Sequence, residues 1–290
     1  MTIERVGDIT CALGEGPVWD PVDGVLYFVD SLAPAIFRHD PASGATVRRD
    51  PPGSSIGSLA LREQGAMVIA MDSGFHAFDF ETGACQAIAE PEADLANCRF
   101  NDGKVDRQGR FIAGSLNKDF ANAVCGLHRL DDDHSVERIA GGISCANGPC
   151  WSPDGSTFYF VHGGDDTIQA YDYDQATGRL SNRRLFVDCA SLGAGPDGAT
   201  VDAEGFVWSA QFGIHQVARF APDGSLDRMV EVPPKMVTSV MFGGVDLDVL
   251  YVTSASGALS GYSDDSVHAG GTFAILGLGV TGLAEPRFKG

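Results

Sequence analysis

The chain has 290 residues, 44% hydrophobic and 20% charged, which is enough apolar material to bury a full core. Its net charge of −19 excludes nucleic acid as an expected partner, because phosphate binding needs a basic footprint, and disfavours an anionic membrane surface. No apolar run approaches the length of about 18 residues expected of a membrane-spanning helix, and the N-terminal MTIERVGDIT lacks the apolar centre of a signal peptide.

Seven cysteines are scattered at positions 11, 85, 98, 125, 145, 150 and 189. The number is odd, no CxxC pair occurs, and no histidine follows Cys145 and Cys150 at zinc-finger spacing. They read as small buried hydrophobes in a reducing, cytoplasmic setting.

Along the chain, short β-branched and aromatic runs alternate with turn clusters, and helical periodicity is almost absent. ALGEGPVWDP sets Glu15 between two glycines ahead of VLYFVD, and later runs are MVIAM, RFIAGS, TFYFVH, FVWSAQF and VLYVTSA. Several lead into a second strand that closes on a turn, as in AIFRHDPASG, FHAFDFETG, TIQAYDYDQATG and VARFAPDG. The turns before the runs superpose. EGPVWDPVDG starts at Glu15, NDGKVDRQG at Asn101, NGPCWSPDG at Asn147 and DGATVDAEG at Asp197, and five positions on stand Asp20, Asp106, Ser152 and Asp202. The same count puts Gly57 at the head of a second copy and Thr238 at the head of a sixth. The starts lie 41 to 50 residues apart, the period of a propeller. The spacing therefore predicts an all-β chain: a single six-bladed β-propeller domain over residues 1–290, with four antiparallel strands per blade.

The innermost strand of each blade lines the central channel, so equivalent positions at its start converge on the axis at one face. Read round the ring these are Glu15, Gly57, Asn101, Asn147, Asp197 and Thr238. Asparagine and aspartate favour turns, which alone would account for some of them. Glutamate gains nothing as a turn former, and Asp197 must head a strand, because another turn (DAEG) follows shortly after its glycine. Two carboxylates and two carboxamides gathered together call for a cation. Oxygen ligands suit calcium, magnesium or manganese, and zinc also accepts carboxylate oxygen.

GEGPVWD, RFNDGKVDRQGRFIAGS, NGPCWSPDG, PDGATVDAEGFVW, TSVMFGG and the closing GLAEPRF, in this order, resemble the senescence-marker-protein-30/gluconolactonase/luciferin-regenerating-enzyme family over about the whole chain. The resemblance implies a six-bladed propeller with one catalytic divalent ion on the axis and hydrolysis of a sugar lactone. It implies Glu15, Asn147 and Asp197 as metal ligands, and Arg99, Asn101 and Asp119 as substrate contacts. Lys118 stands beside Asp119, where the family often has an acid or a small residue. Two departures bear on substrate choice. His162 and Gly163 replace an Asp-Ser or Asp-Thr pair, and QFGIH, with Phe212 and His215, replaces WGG. These two histidines are expected on rim loops, either solvated or lining the mouth.

For a lactone, the implied chemistry is a polarised ester carbonyl attacked by an activated water, with Asp197 as general base and Arg99 and Asn101 orienting the substrate. The one G-x-S-x-G match, GSSIG at 53–57, runs into a strand-like stretch and not into the helix a nucleophile elbow needs, so no elbow supports a covalent route. Two alternatives are a phosphotriesterase or fluorophosphatase on the same metal funnel, and a non-catalytic interaction propeller. The Gly-His mark of WD40 blades is absent, and Trp-Asp occurs once, at Trp19–Asp20, without recurring from blade to blade.

Overall fold

The computed structural model describes residues 1–120, 122–164, 166–259 and 261–290. Among these, six four-stranded antiparallel sheets follow one another as blades. Their inner strands are Gly14–Asp20, Ile56–Leu61, Cys98–Val105, Ala146–Trp151, Gly195–Val201 and Val237–Gly243. In the first five blades the strands run from the axis outward in chain order. The sixth takes Val249–Ser254 and Phe273–Leu276 and then closes on Thr2–Arg5, with Thr2 opposite Leu276 and Arg5 opposite Phe273. The two ends of the chain thus share one blade, which fastens the ring.

The turns that punctuate the repeat explain its regularity. The carbonyls of Asp20, Asp106, Ser152 and Asp202 accept from the amides of Gly24, Gly109, Gly155 and Gly205 at 2.8 to 3.0 Å. The three aspartates also accept, on their side chains, from Val22, Gln108 and Glu204 two residues on, the Asx geometry that makes aspartate a good turn opener.

The core is divided among the seams between blades. Trp208, Val217, Phe242 and Val252 pack blade five on six. Phe75, Phe100 and Phe111 pack two on three, with Phe75 and Phe100 ring centroids 4.8 Å apart. Each fully buried large side chain contributes about 1.5–3 kcal/mol by its removal from water, so the seams hold the blades at fixed angles. Among the described residues, no helix is long and apolar enough to cross a membrane.

Every inner strand breaks register near its start. The break falls between Glu15 and Val18, Ile56 and Ser58, Phe100 and Gly103, Asn147 and Cys150, Pro196 and Ala199, and Val237 and Ser239. A bulge at this point bends the strand and re-aims its side chains. Gly57 sits in one of these breaks, and a Cβ there would lie 2.2 Å from the Asn101 carbonyl oxygen, so the backbones of blades two and three approach too closely for any side chain. The C-terminal tail crosses the other end of the blades. Gly282 pairs with Asp202, Phe288 pairs with Arg62, and Arg287 Nη2 donates to Asp20 Oδ1 at 2.6 Å.

Candidate active site

Glu15, Asn101, Asn147 and Asp197 come from blades one, three, four and five, and all line one cavity of about 300 Å³. Arg99 enters it from the same strand as Asn101. The other two ring positions do not reach it with a side chain. Gly57 has none. Thr238 is fully buried, donates its hydroxyl to the Gly14 carbonyl and lies 2.9 Å from Thr253 Oγ1, so it ties blade six to blade one.

The polar floor is tightly wired. Arg99 Nη1 donates to Asn101 Oδ1 at 3.0 Å and to the Phe100 carbonyl at 2.9 Å. Asn101 Nδ2 donates to Asn147 Oδ1 at 2.6 Å and to the Ala146 carbonyl at 2.9 Å. These bonds fix both amide orientations: Asn101 turns its NH2 toward blade four, and Asn147 presents its oxygen.

Sequence reasoning missed Asp102. It follows Asn101 within the bulge and is buried, with Oδ1 accepting from Gly103 N at 2.7 Å and Oδ2 from Gly148 N at 2.9 Å. The signal was present as an acid next to a ring position on a strand that breaks register. Three carboxylates therefore share this end of the channel. Burial, above all, pushes the carboxyl of Glu15 well above the usual range, and the charges of Asp197 and Asp102 add to it. Asp197 is raised in the same way, first by desolvation and then by Asp102. Asp102 is itself raised by burial. Asp197 and Asn147 keep part of their surface open, but into an enclosed cavity, so exposure there does not equal bulk solvation. Burial also lowers Arg99, against the opposing pull of Cys145, Glu15 and Asp197.

An anionic, oxygen-only floor of this kind fits a hard divalent cation. Glu15 and Asp197 offer carboxylate oxygens that are costly to leave charged without one, and Asn147 offers a carbonyl oxygen. Cys145, also unforeseen, lines the cavity, but burial pushes its thiol up to about 12, so it is neutral and a poor nucleophile.

A second set of ligand-type atoms lies in blade three, where Glu92, Cys98 and Cys125 are buried with their atoms within 4.8 Å of one another. Glu92 Oε1 accepts from Ser115 Oγ at 2.7 Å and Gly126 N at 3.1 Å, and lies 3.0 Å from His128 Nε2. The sulfurs are 2.7 Å apart, nearer than the roughly 3.8 Å that two thiolates on one tetrahedral zinc require. As they stand, these two sulfurs are too close together to bind one zinc ion as a pair.

The remaining predicted residues are placed differently. Lys118 and Phe120 line the cavity, while the Asp119 carboxylate between them accepts from Asn97 Nδ2 at 2.6 Å. His162 is not on a rim loop. It ends the strand Thr157–His162, is buried, and lies with Nε2 2.9 Å from the Tyr171 hydroxyl. His215 sits in a turn at φ 63°, with Nδ1 3.2 Å from the Pro233 carbonyl oxygen. Phe212 does line the cavity and meets Tyr262 edge-on at 5.5 Å.

Comparison with known proteins agrees with this architecture. Residues 13–256 match the family described as the SMP-30/Gluconolactonase/LRE-like region. The chain is 37% identical to regucalcin of Xenopus laevis over 297 residues, covering 100% of this chain and 99% of that one. It is 35% identical to a pentonolactonase of Haloferax volcanii over 295 residues, covering 100% and 98%. Among solved structures, a calcium-binding protein, regucalcin, from Agrobacterium tumefaciens superposes with a TM-score of 0.91 at 31% identity, covering 98% of this chain and 96% of that one.

Proposed function

The chain belongs to the SMP-30/gluconolactonase/LRE-like family, and from that premise we propose that it is a divalent-metal-dependent lactonase acting on a sugar-type lactone. Glu15, Asn147 and Asp197 would hold the ion, with calcium, manganese, magnesium and zinc all compatible with oxygen donors. The pentonolactonase relative supports the reaction class, and the calcium-binding neighbour supports the cation. The single observation that carries the reading is the gathering of Glu15 and Asp197, both with raised carboxyl pKa, beside the bonded pair Asn101–Asn147 in one cavity.

When bound, a divalent ion supplies carbonyl polarisation and a lowered pKa for water. Asp197 serves as the proton acceptor for the attacking water. In the metal-free protein desolvation and then the charge of Asp102 raise its carboxyl above the ordinary range, and a bound cation would oppose that shift. Arg99 orients the substrate and meets the negative charge that develops as the ring ester opens into a carboxylate. Asn101 holds Arg99 on one side and Asn147 on the other, so substrate and cation are positioned by one side chain. Asp119 is bonded to Asn97 through one carboxylate oxygen and stands outside the cavity lining, which makes it a peripheral contact.

A panel of lactones followed with a pH indicator, before and after chelation, tests the proposal, since each turnover releases a proton. Hydrolysis that is lost on chelation and restored by a divalent ion is expected. Turnover of phosphotriesters alone, or lactone turnover indifferent to chelation, would replace it.

A further inference from the structure

Apart from Lys118, the polar side chains of the cavity lie at its floor. Its walls are Leu13, Leu32, Leu116, Phe120, Phe212 and Leu259, drawn from four blades and their loops. Leu32 and Phe120 remain 48% and 53% exposed at the mouth, large apolar side chains left in water with no core to fill. Phe120 is also held at φ 54°, a conformation that a bulky residue rarely adopts, its amide donating to the Asn117 carbonyl at 2.8 Å. On the far side the wall is firm: Phe212, Leu259 and Tyr262 pack against the buried Leu13, Met236 and Ala255.

Hydrogen-bonding capacity is concentrated at the floor, where Arg99 is bonded among the described residues only through Nη1, and is scarce along the walls. Asn101 is engaged through its carbonyl with Arg99 and through its amide with Asn147 and Ala146. Glu15, Asn147 and Asp197 face the cation site of the proposed function. Arg99 remains there, and Lys118 on the wall matches a product carboxylate. A fully hydroxylated sugar lactone would turn several hydroxyls toward leucine and phenylalanine, where each loses its water without gaining a partner.

We infer that the lactone taken by this cavity is apolar at the end remote from its carbonyl: a deoxy or alkyl-substituted lactone in preference to a fully hydroxylated one. The inference rests on the lactonase reading above and assigns Phe120, Phe212 and Leu259 as specificity-determining residues. Recognition divides in two. The floor reads the ester, and the walls read an alkyl group.

The test compares kcat/KM for an aldonolactone, its deoxy counterpart and an alkyl-substituted lactone of the same ring size, on wild type, Phe120→Ser and Phe212→Ser. The deoxy and alkyl lactones are expected to be preferred by about fourfold for each methyl or methylene buried, the equivalent of ~0.8 kcal/mol. Phe120→Ser changes a half-exposed side chain, so it should fold normally and narrow the preference. The matching lactams should bind the metal-free protein in the same order by calorimetry, a readout independent of turnover. Preference for the fully hydroxylated lactone, or a preference unmoved by Phe120→Ser, would overturn the inference while leaving the lactonase reading intact. No turnover of any lactone with any divalent ion would overturn that reading and the inference with it.

Discussion

Asn101 Nδ2 donates to Asn147 Oδ1 at 2.6 Å, across the seam between blades three and four. The bond joins a residue that holds Arg99 to a residue of the proposed cation site, so the two halves of the floor cannot be adjusted separately. An Asn101→Ala variant removes the donor that aims the Asn147 oxygen. Loss of such a supporting partner typically weakens metal binding about 10–100-fold. Calorimetric titration of calcium or manganese into wild type and variant would measure it, and an unchanged affinity would mean that Asn147 is aimed by its backbone alone.

Three buried carboxyl groups raised above their ordinary range give the metal-free protein a defined pH dependence. A carboxyl whose folded pKa exceeds its unfolded value stabilises the fold below the unfolded value and loses that contribution as pH rises through the folded one. Asp72 and Asp264 are held low by hydroxyl and amide donors, so their contributions vary only at the acid end. The Tm of chelated protein should therefore fall as pH rises above the ordinary carboxylate range, and a divalent ion should restore more of it at the higher pH. A metal-induced Tm shift that shrinks as pH rises would contradict the placement of these acids around the cation site.

Gly57→Ala tests the close approach of blades two and three. Its Cβ would lie 2.2 Å from the Asn101 carbonyl oxygen, and the backbone must move to admit it. Such overpacking costs about 1–3 kcal/mol, read by urea unfolding, and it should weaken metal binding as well because the displaced residue is Asn101.

Much of the fold was legible because four of the six blades open with the same device, a strand head followed by an aspartate or serine turn, at Asp20, Asp106, Ser152 and Asp202. Glu15, Asn101, Asn147 and Asp197 were found by that count, and the structure brings all four to one cavity. What stayed hidden depends on contacts distant in sequence. Thr238 occupies the right register, yet its hydroxyl is consumed by Gly14 and Thr253. Thr2–Arg5 completes the sixth blade beside Phe273–Leu276, a pairing that no local pattern announces. Asp102 was passed over because alternation along a strand would send it away from the channel, and the bulge after Phe100 breaks that alternation. His162 was expected on a rim loop, although its ring belongs to a strand end packed against Phe160 and Tyr171. The apolar cavity wall comes from loop residues such as Leu32 and Phe120, whose positions no periodicity fixes.

The most direct test of the account is kcat for lactone hydrolysis by Asp197→Asn at saturating metal, with thermal unfolding in parallel. The substitution keeps the shape and one carbonyl oxygen, and it removes a buried charge that burial and Asp102 already disfavour, so the metal-free Tm should hold or rise. Turnover should fall by about 10²–10⁴-fold through loss of the proton acceptor. Near-wild-type turnover would contradict Asp197 as the base at the floor of the channel.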